Sequence, residues 1–472
     1  MLVIRVLILL VVASATSVAV AIDLPELGDT SSATISPAQE RALGLDIMRQ
    51  IRAAPAYLDD PEVKDYLDNL GYRLVAASPD SRLGFSFFAL MDNSVNAFAL
   101  PGGFIGVHSA LLLTSRSESE LAAVLAHEVA HVTQKHIARM ISAQQKQGLA
   151  SLAAMAIAIL ASRSNPQAAA GAIAATQAQA LSDRLAFTRD NEREADRVGV
   201  GILERAGFDP HAMPVFLERL QKATRVLETG APSYMRTHPI TYERVADVQN
   251  RTFDLPFRQI PDSLDFHLVR ARVRALQKDA REAVAFFDDL IADRKFSNEV
   301  AARYGLVESL LRAKNPERAA VEARRLKTFP DRHPILISQE ARVLIAGRRP
   351  DQALQVYAKG LTEFPTRRSL VYEYAQLLVD SGRAMEANGV IERRMQADPD
   401  DGRLYEIQAK AYAALGNTML KHRSLAEAYL AAGQLIMAMD QLQLALRNSN
   451  GNFYDVSSVE ARLRELRAIP LR

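Results

Sequence analysis

The chain of 472 residues contains no cysteine. That absence excludes disulfides as staples and thiolate zinc sites, so any metal must be held by His, Asp or Glu. An exported protein without cysteine suits a bacterial envelope. Charge of one sign is not in excess either: the formal net charge is +2. No basic block stands out, which argues against an electrostatic nucleic-acid binder. Long apolar runs are missing as well. The two candidates, Val6 to Ala13 and Leu149 to Ala161, fall short of the ~20 residues that a spanning helix needs.

What is present is globular in composition, with 49% apolar and 24% charged residues, enough for a sizeable core in two or three domains. The opening MLVIRVLILLVVASATSVAVAID has one cation, Arg5, an apolar run, and small residues ending in Ala19-Val20-Ala21. It reads as a secretory signal over residues 1–21, cut before Ile22, with an uncleaved anchor as the rival. Residues 22–36 form an extended lead-in, and helical periodicity begins near Pro37. Between Phe85 and Leu113 the texture turns to FSFFALMD, VNAFALPGG and FIGVHSALLL, which predicts a small antiparallel sheet with tight turns. Helix then dominates to the end, so the fold class is mainly α.

Texture changes again near residue 262. From there KDAREAVAFF, KNPERAAVEA, RRPDQALQVY and GRAMEANGVI place alanines at 283, 319, 353 and 387, and prolines recur at 330, 365 and 399. A period of about 34 residues with a small residue at each helix crossing is the tetratricopeptide signature, an α-solenoid. After Gly416-Asn417 the next matching alanine is Ala438, which leaves room for an extra helix. The expected organisation is a first domain over 22–262 and a repeat domain over 263–472, whose concave face would hold a peptide segment or a partner protein.

The stretch LAAVLAHEVAHVTQKH, residues 121–136, holds three of the nine histidines. On a helix His127 and His131 share a face and can point at one metal ion. Glu128 is turned by about 100°, which lets its carboxylate approach a water at the metal without ligating. Ser117 and Glu120 form a capping box ahead of the buried stripe Leu121, Val124 and Leu125. A buried structural histidine pair is the bland alternative. Against it stands a second helix, RDNEREADRVG, where Glu192 and Asp196 share a face: one carboxylate for the metal, another to hold a ligating imidazole. Glu194 points elsewhere, toward a surface ion pair.

With those residues in view, the sequence resembles the gluzincin metallopeptidases of the M48 type, the group that includes the CAAX prenyl endopeptidase. The likeness rests on HEVAH, on Glu192-Arg193-Glu194-Ala195-Asp196 as an E-x-x-A-D element, and on NAFALPGG, VHSALL, RAGFDPHAMPVFLERL and THPITYER. A leader ahead and repeats behind make it most similar to the exported branch that serves outer-membrane β-barrel assembly. The resemblance implies a zincin-type domain, a zinc endopeptidase activity, His127, His131 and Glu192 as zinc ligands, Glu128 as general base and Asp196 as their outer support. It also places His238 of the T-H-P segment near the metal, either shutting the resting enzyme or polarising the scissile carbonyl. Arg244 would hold that loop or stabilise the oxyanion. Substrates would be unfolded or misassembled envelope proteins in the periplasm, with the outer-membrane β-barrel assembly machinery as a partner of the repeats.

Substrate is expected to lie as an extended strand beside VNAFAL, with the backbone fixed and side chains loosely specified. His136, about 140° round the helix from His131, is not expected to share the metal face. His108 is expected to be structural, and His211, His267, His333 and His422 to be surface or core. The Ala-rich stretch 148–181 reads as a helical hairpin that covers the site or touches a membrane surface. A chaperone or assembly factor with an idle metal site is the competing function.

Overall fold

The computed structural model describes residues 35–80, 83–143, 189–226, 233–329, 332–448 and 452–469. The expected leader at 1–21 and the Ala-rich stretch 148–181 lie outside the described residues.

Helix α1 (Pro37–Ala53) begins at Ser36, whose hydroxyl accepts from the Gln39 amide while the Gln39 side chain accepts from the Ser36 amide. Helix α2 (Pro61–Ala76) begins at Asp60, which accepts from the amides of Glu62 and Val63. Both start on proline, whose missing N–H costs nothing there. Three strands follow, β1 (Ser86–Leu90), β2 (Ala97–Leu100) and β3 (Phe104–His108), in the order β1-β3-β2.

The β2–β3 pair is antiparallel, as the sequence predicts, and turns at Pro101-Gly102-Gly103. Both glycines have positive φ, and a Cβ on Gly103 would stand 2.3 Å from the Gly84 carbonyl oxygen. The β1–β3 pair is parallel, which corrects the expectation of an antiparallel sheet. Residues 91–96 do not fold back on β1. They cross to the far edge, held by Asp92, which accepts from the amide and hydroxyl of Ser94. The central place is left to β3, the strand buried at every position.

The sheet is a middle layer. Phe88, Leu90, Leu100 and Phe104 face Ile47, Met48 and Ile51 of α1. Phe87, Ala89, Ile105 and Val107 face the opposite core, shared with α2 and with α4. Burial on both faces makes these strands read as unbroken apolar runs.

Beyond the sheet come α3 (Ser109–Thr114), α4 (Glu118–Thr133), α5 (His136–Ala143), α6 (Arg189–Arg205), α7 (Ala212–Val226), α8 (Ser233–Thr237) and α9 (Tyr242–Phe253). Ser117 caps α4 by accepting from the Glu120 amide, while the Glu120 carboxylate takes the Arg116 amide in place of that of Ser117. Helix α6 crosses α4 closely at Gly199, where a Cβ would lie 3.3 Å from the His127 nitrogen.

The repeats run as helix pairs: Leu264–Gln277 with Ala280–Ala292, Glu299–Arg312 with Pro316–Leu326, Pro334–Ala346 with Pro350–Glu363, Arg368–Asp380 with Ala384–Met395, and Gly402–Ala414 with Thr418–Ala431. Two more helices, Leu435–Arg447 and Phe453–Arg467, follow. Ala283, Ala319, Ala353 and Ala387 are completely buried at the helix crossings. Ala438 is buried on Leu435–Arg447, one helix later than the fifth pair would place it, which accommodates the extra helix for which the irregular spacing leaves room.

The first helices of the five pairs face α1, α2 and the turn between them. Arg272 donates to Asp60 at 2.7 Å, Tyr304 to Glu62 at 2.7 Å, Arg342 to Glu62 at 2.7 Å, Arg368 to Asp65 at 2.7 Å and to Asp68 at 2.9 Å, and Arg403 reaches Asp59 at 3.5 Å. Arg49 and Arg52 of α1 donate to the carbonyls of Gly433 and Ala431. The face that the repeat pattern offers to a peptide therefore holds the chain's own N-terminal helices. One buried apolar cluster runs from Val63 to Val343 with no break at 262. Among the described residues no helix is long and apolar enough to cross a membrane.

Candidate metal centre

Helices α4 and α6 bring His127, His131 and Glu192 to one point, and the segment after α8 adds His238; one ligand atom from each lies within 4.8 Å of all the others. His127 Nε2 stands 3.0 Å from His131 Nε2, 3.5 Å from Glu192 Oε2 and 3.4 Å from His238 Nδ1. Glu192 Oε1 stands 3.3 Å from His131 Nε2 and 3.0 Å from His238 Nδ1. A four-coordinate zinc with bonds of ~2.0–2.1 Å has ligand atoms about 3.3–3.4 Å apart, the edge of a tetrahedron. The observed separations bracket that edge.

The remaining contacts fix which nitrogens carry protons. His127 Nδ1 lies 2.9 Å from Asp196 Oδ1 and donates to it, which turns Nε2 toward the centre. His131 Nδ1 lies 2.8 Å from His136 Nδ1, and His136 Nε2 lies 3.1 Å from Glu194 Oε2. His136 therefore donates outward to Glu194 and accepts from His131, which turns His131 Nε2 toward the centre. Two imidazole nitrogens and a carboxylate converge on one point, a set of groups that suits a cation.

Charge around the centre is arranged for that cation. Although burial opposes ionisation of Glu192, His238 and Arg244 hold its carboxyl well below the usual range. Asp196, likewise buried, is held down by Arg244 and His127. Burial opposes a charge on His127, but Asp196 and Glu192 outweigh it and pull its pKa up to about 10 in the absence of an ion. Burial pushes His131 well below the ordinary value.

Glu128 is completely buried, and burial pushes its carboxyl up. Neither of its oxygens accepts a hydrogen bond of ordinary geometry; the nearest groups are His238 Nε2 at 3.4 Å and the Ala99 main chain of β2. Arg244, 2% exposed, grips Asp196 with two nitrogens at 2.8 and 2.9 Å. Its third nitrogen donates to the Pro239 carbonyl at 2.8 Å and pairs with Glu192. All three of its nitrogens are thus engaged with the loop and the two acids.

Two residues of the site are not legible in the sequence. The 140° placing of His136 presumes a continuous helix, but α4 ends at Thr133, Lys135 takes φ 53°, and α5 restarts at His136. The ring swings back against His131 and is completely buried. No glycine marks the break, so no sequence signal announces it. Tyr234 is the other. Its ring stacks on His238 at 4.7 Å and 26°, and its amide donates to the Val95 carbonyl just ahead of β2.

Glu194 makes the expected surface pair, with Arg139 at 2.8 Å, in addition to its contact with His136. His108 is a satisfied structural residue, with Nδ1 3.1 Å from both Ser94 oxygens. His211 bonds Asp209, His333 caps a repeat helix, and His422 bonds Gln441.

Two imidazoles and a carboxylate meeting at one point, with a spare carboxylate alongside and an edge strand within reach, fit a metal-dependent hydrolase. Comparison with known proteins gives the same class. The profile described as peptidase family M48 matches residues 61–252, and a tetratricopeptide-repeat profile matches residues 344–411. The chain is 30% identical over 452 residues to the "Beta-barrel assembly-enhancing protease" of Escherichia coli K12, covering 95% of this chain and 92% of the relative. It is 34% identical over 400 residues to the "Putative beta-barrel assembly-enhancing protease" of Vibrio cholerae, covering 84% and 82%. The "Mitochondrial metalloendopeptidase OMA1" of Schizosaccharomyces pombe is 30% identical over 185 residues, 39% of this chain and 51% of that protein. The chain belongs to peptidase family M48 and is a metalloprotease, which implies a divalent metal.

Proposed function

We propose that the protein is a zinc-dependent endopeptidase of the Gram-negative periplasm that cleaves misfolded or stalled envelope proteins, outer-membrane β-barrel proteins and their assembly factors among them. Residues 1–21 would be the leader, 22–262 the protease domain and 263–472 a repeat domain that recruits substrates or the β-barrel assembly machinery. The names of the relatives in Escherichia coli and Vibrio cholerae support the location and the substrate class. The observation that carries the reading is the convergence of His127, His131, Glu192 and His238, with one ligand atom from each within 4.8 Å of the others.

His127, His131 and Glu192 would hold zinc, since two imidazoles and a carboxylate are a ligand set of catalytic zinc. When bound, the ion supplies Lewis-acid activation of water and of the scissile carbonyl. Glu128 takes the proton of the attacking water, and its raised pKa brings it nearer to neutrality, where a general base works best. Asp196 and His136 hold the two imidazoles by their outer nitrogens. Arg244 balances the two acids and ties down the loop that carries His238.

His238 stands between the ligand set and the base, with one nitrogen on each, so substrate must displace it. The same segment covers the substrate strand. His108 N donates to Asn96 O, so 96/108 is a hydrogen-bonded pair, and by alternation the main-chain groups of Ala97 and Ala99 point away from β3 along the free edge of β2. Tyr234 already takes the first acceptor of that edge, Val95. One movement of 233–239 would release both the metal corner and the edge, after which His238 can polarise the carbonyl. Main-chain pairing along β2 would leave side chains loosely specified.

A second reading, a repeat-based chaperone or assembly factor with an idle or gated site, is favoured by the same contact of His238 with Glu128. Cleavage of a disordered substrate such as casein by the full chain separates the two. Glu128→Gln is expected to lower the rate by about 10²–10⁴-fold without loss of bound zinc, and His238→Ala to raise it. If the unmutated chain and Glu128→Gln are equally slow, and His238→Ala is no faster, the enzyme reading fails. Peripheral membrane contact is proposed for 148–181, outside the described residues.

A further inference from the structure

Buried arginines in this protein are answered by acids: Arg244 by Asp196 and Glu192, Arg272 by Asp60, Glu62 and Glu308, and Arg342 by Glu62 and Glu308. Arg270 and Arg274 break that pattern. They lie one turn apart on Leu264–Gln277, where like charges at this spacing repel, and among the described residues neither has an ion pair. Arg270 donates to the Leu113 carbonyl at 3.1 Å and lies over Phe266, while its Nε is buried without a partner. Arg274 donates only to Gln277 and lies over Phe286 at 5.3 Å. Burial alone acts on the Arg274 guanidinium and pushes its pKa down, with no carboxylate to oppose it. The nearest acid to the pair is Asp262, which faces His267 at 4.0 Å and also acts on Arg270.

Both guanidiniums line a cavity of about 170 Å³ at the junction of α3 with the first repeat, together with His267, Lys295, Phe286 and Phe296. Lys295 pairs with the exposed Asp293 at 2.7 Å. Two half-buried forks of N–H donors with no ion-pair partner among the described residues match the bidentate geometry of a carboxylate or a phosphate. The phenylalanines offer an apolar wall to whatever carries that group.

We propose that this cavity is an oxyanion-binding site, in which Arg270 and Arg274 hold a carboxylate or phosphate group and Lys295 guards the rim. It stands apart from the metal centre and uses none of its residues. The test is thermal melting and titration calorimetry of the full-length protein with inorganic phosphate or N-acetyl-leucine, at ionic strength held constant with sodium chloride. At least one of these anions is expected to bind saturably and raise the melting temperature, and the one that saturates at the lower concentration identifies the source of the group. Arg274→Gln is expected to weaken that binding about tenfold, and Lys295→Gln, on an exposed turn, severalfold. An unrelated exposed change, Arg318→Gln, is expected to leave it unchanged. Saturation of neither anion beyond the effect of chloride overturns the proposal, and so does equal binding by Arg274→Gln, which would place the anion elsewhere.

Discussion

Two of the clusters of buried charged side chains among the described residues are built on different rules. At the joint between α2 and the repeats, Asp60, Glu62 and Glu308 meet Arg272, Arg342 and the Tyr304 hydroxyl, so that acceptors face donors. At the crossing of α4 and α6, groups of metal-ligating type face one another: His127 Nε2, His131 Nε2 and Glu192. Both places are largely withdrawn from solvent, the second more completely. The kind of group separates a clasp of carboxylates and guanidiniums, which is complete in itself, from a convergence of imidazoles and a carboxylate that suits a cation.

The sharpest way to break this comparison is to delete a cation from the clasp. Arg272 → Ala leaves Asp60 and Glu62 without a fork that now touches both and also holds Glu308. Removal of one partner of a buried pair costs about 3–5 kcal/mol, so urea unfolding is expected to lose that amount, with zinc present or absent. Stripping the metal with a chelator is expected to lower the melting temperature of the unmutated protein by simple linkage and to leave the clasp intact. If chelation and Arg272→Ala prove to be the same perturbation, with no further loss when they are combined, the two clusters are one unit and the contrast fails.

A smaller effect sharpens the other side. His136 and Asp196 each hold the outer nitrogen of a proposed ligand, at 2.8 and 2.9 Å. Loss of such a support lowers metal affinity by about 10–100-fold. His136→Phe, which keeps the ring volume, and Asp196→Asn are both expected to fall in that range when zinc is titrated against a competing chelator. An unchanged affinity in His136→Phe would reduce that residue to packing.

These two residues also mark where sequence stops being legible. Asp196 can be placed beforehand because four residues separate it from Glu192 on one unbroken helix. His136 cannot, since its position depends on a helix break with no glycine or proline to announce it. The hairpin at Pro101-Gly102-Gly103 is readable, because only glycine accepts the backbone there. The parallel β1–β3 pair is not, because nothing local says which strand takes the middle. The repeat alanines at 283, 319, 353 and 387 foretell the solenoid, whereas its engagement with α1 and α2 rests on acids scattered over 59–68 that read as ordinary surface charge. Periodic and local constraints are visible in one chain; pairings across hundreds of residues are not.

The smallest expected effect concerns protons in the clasp. It holds three carboxyls against two guanidiniums, and burial, opposed by Arg272 and Arg342, pushes Glu62 up to about 7. A carboxyl whose pKa is higher in the folded protein than in the unfolded chain favours folding in its protonated form. Its contribution is whole below the ordinary carboxylate range and is lost as pH rises through about 7. Between pH 6 and pH 7 this group alone is expected to remove about 1 kcal/mol of stability. Glu62→Gln keeps a neutral group in the same place, so its unfolding free energy is expected to run flatter than that of the unmutated protein across that interval. A parallel pair of curves would mean that Glu62 stays ionised between its two arginines, and that the clasp balances its charges without a shared proton.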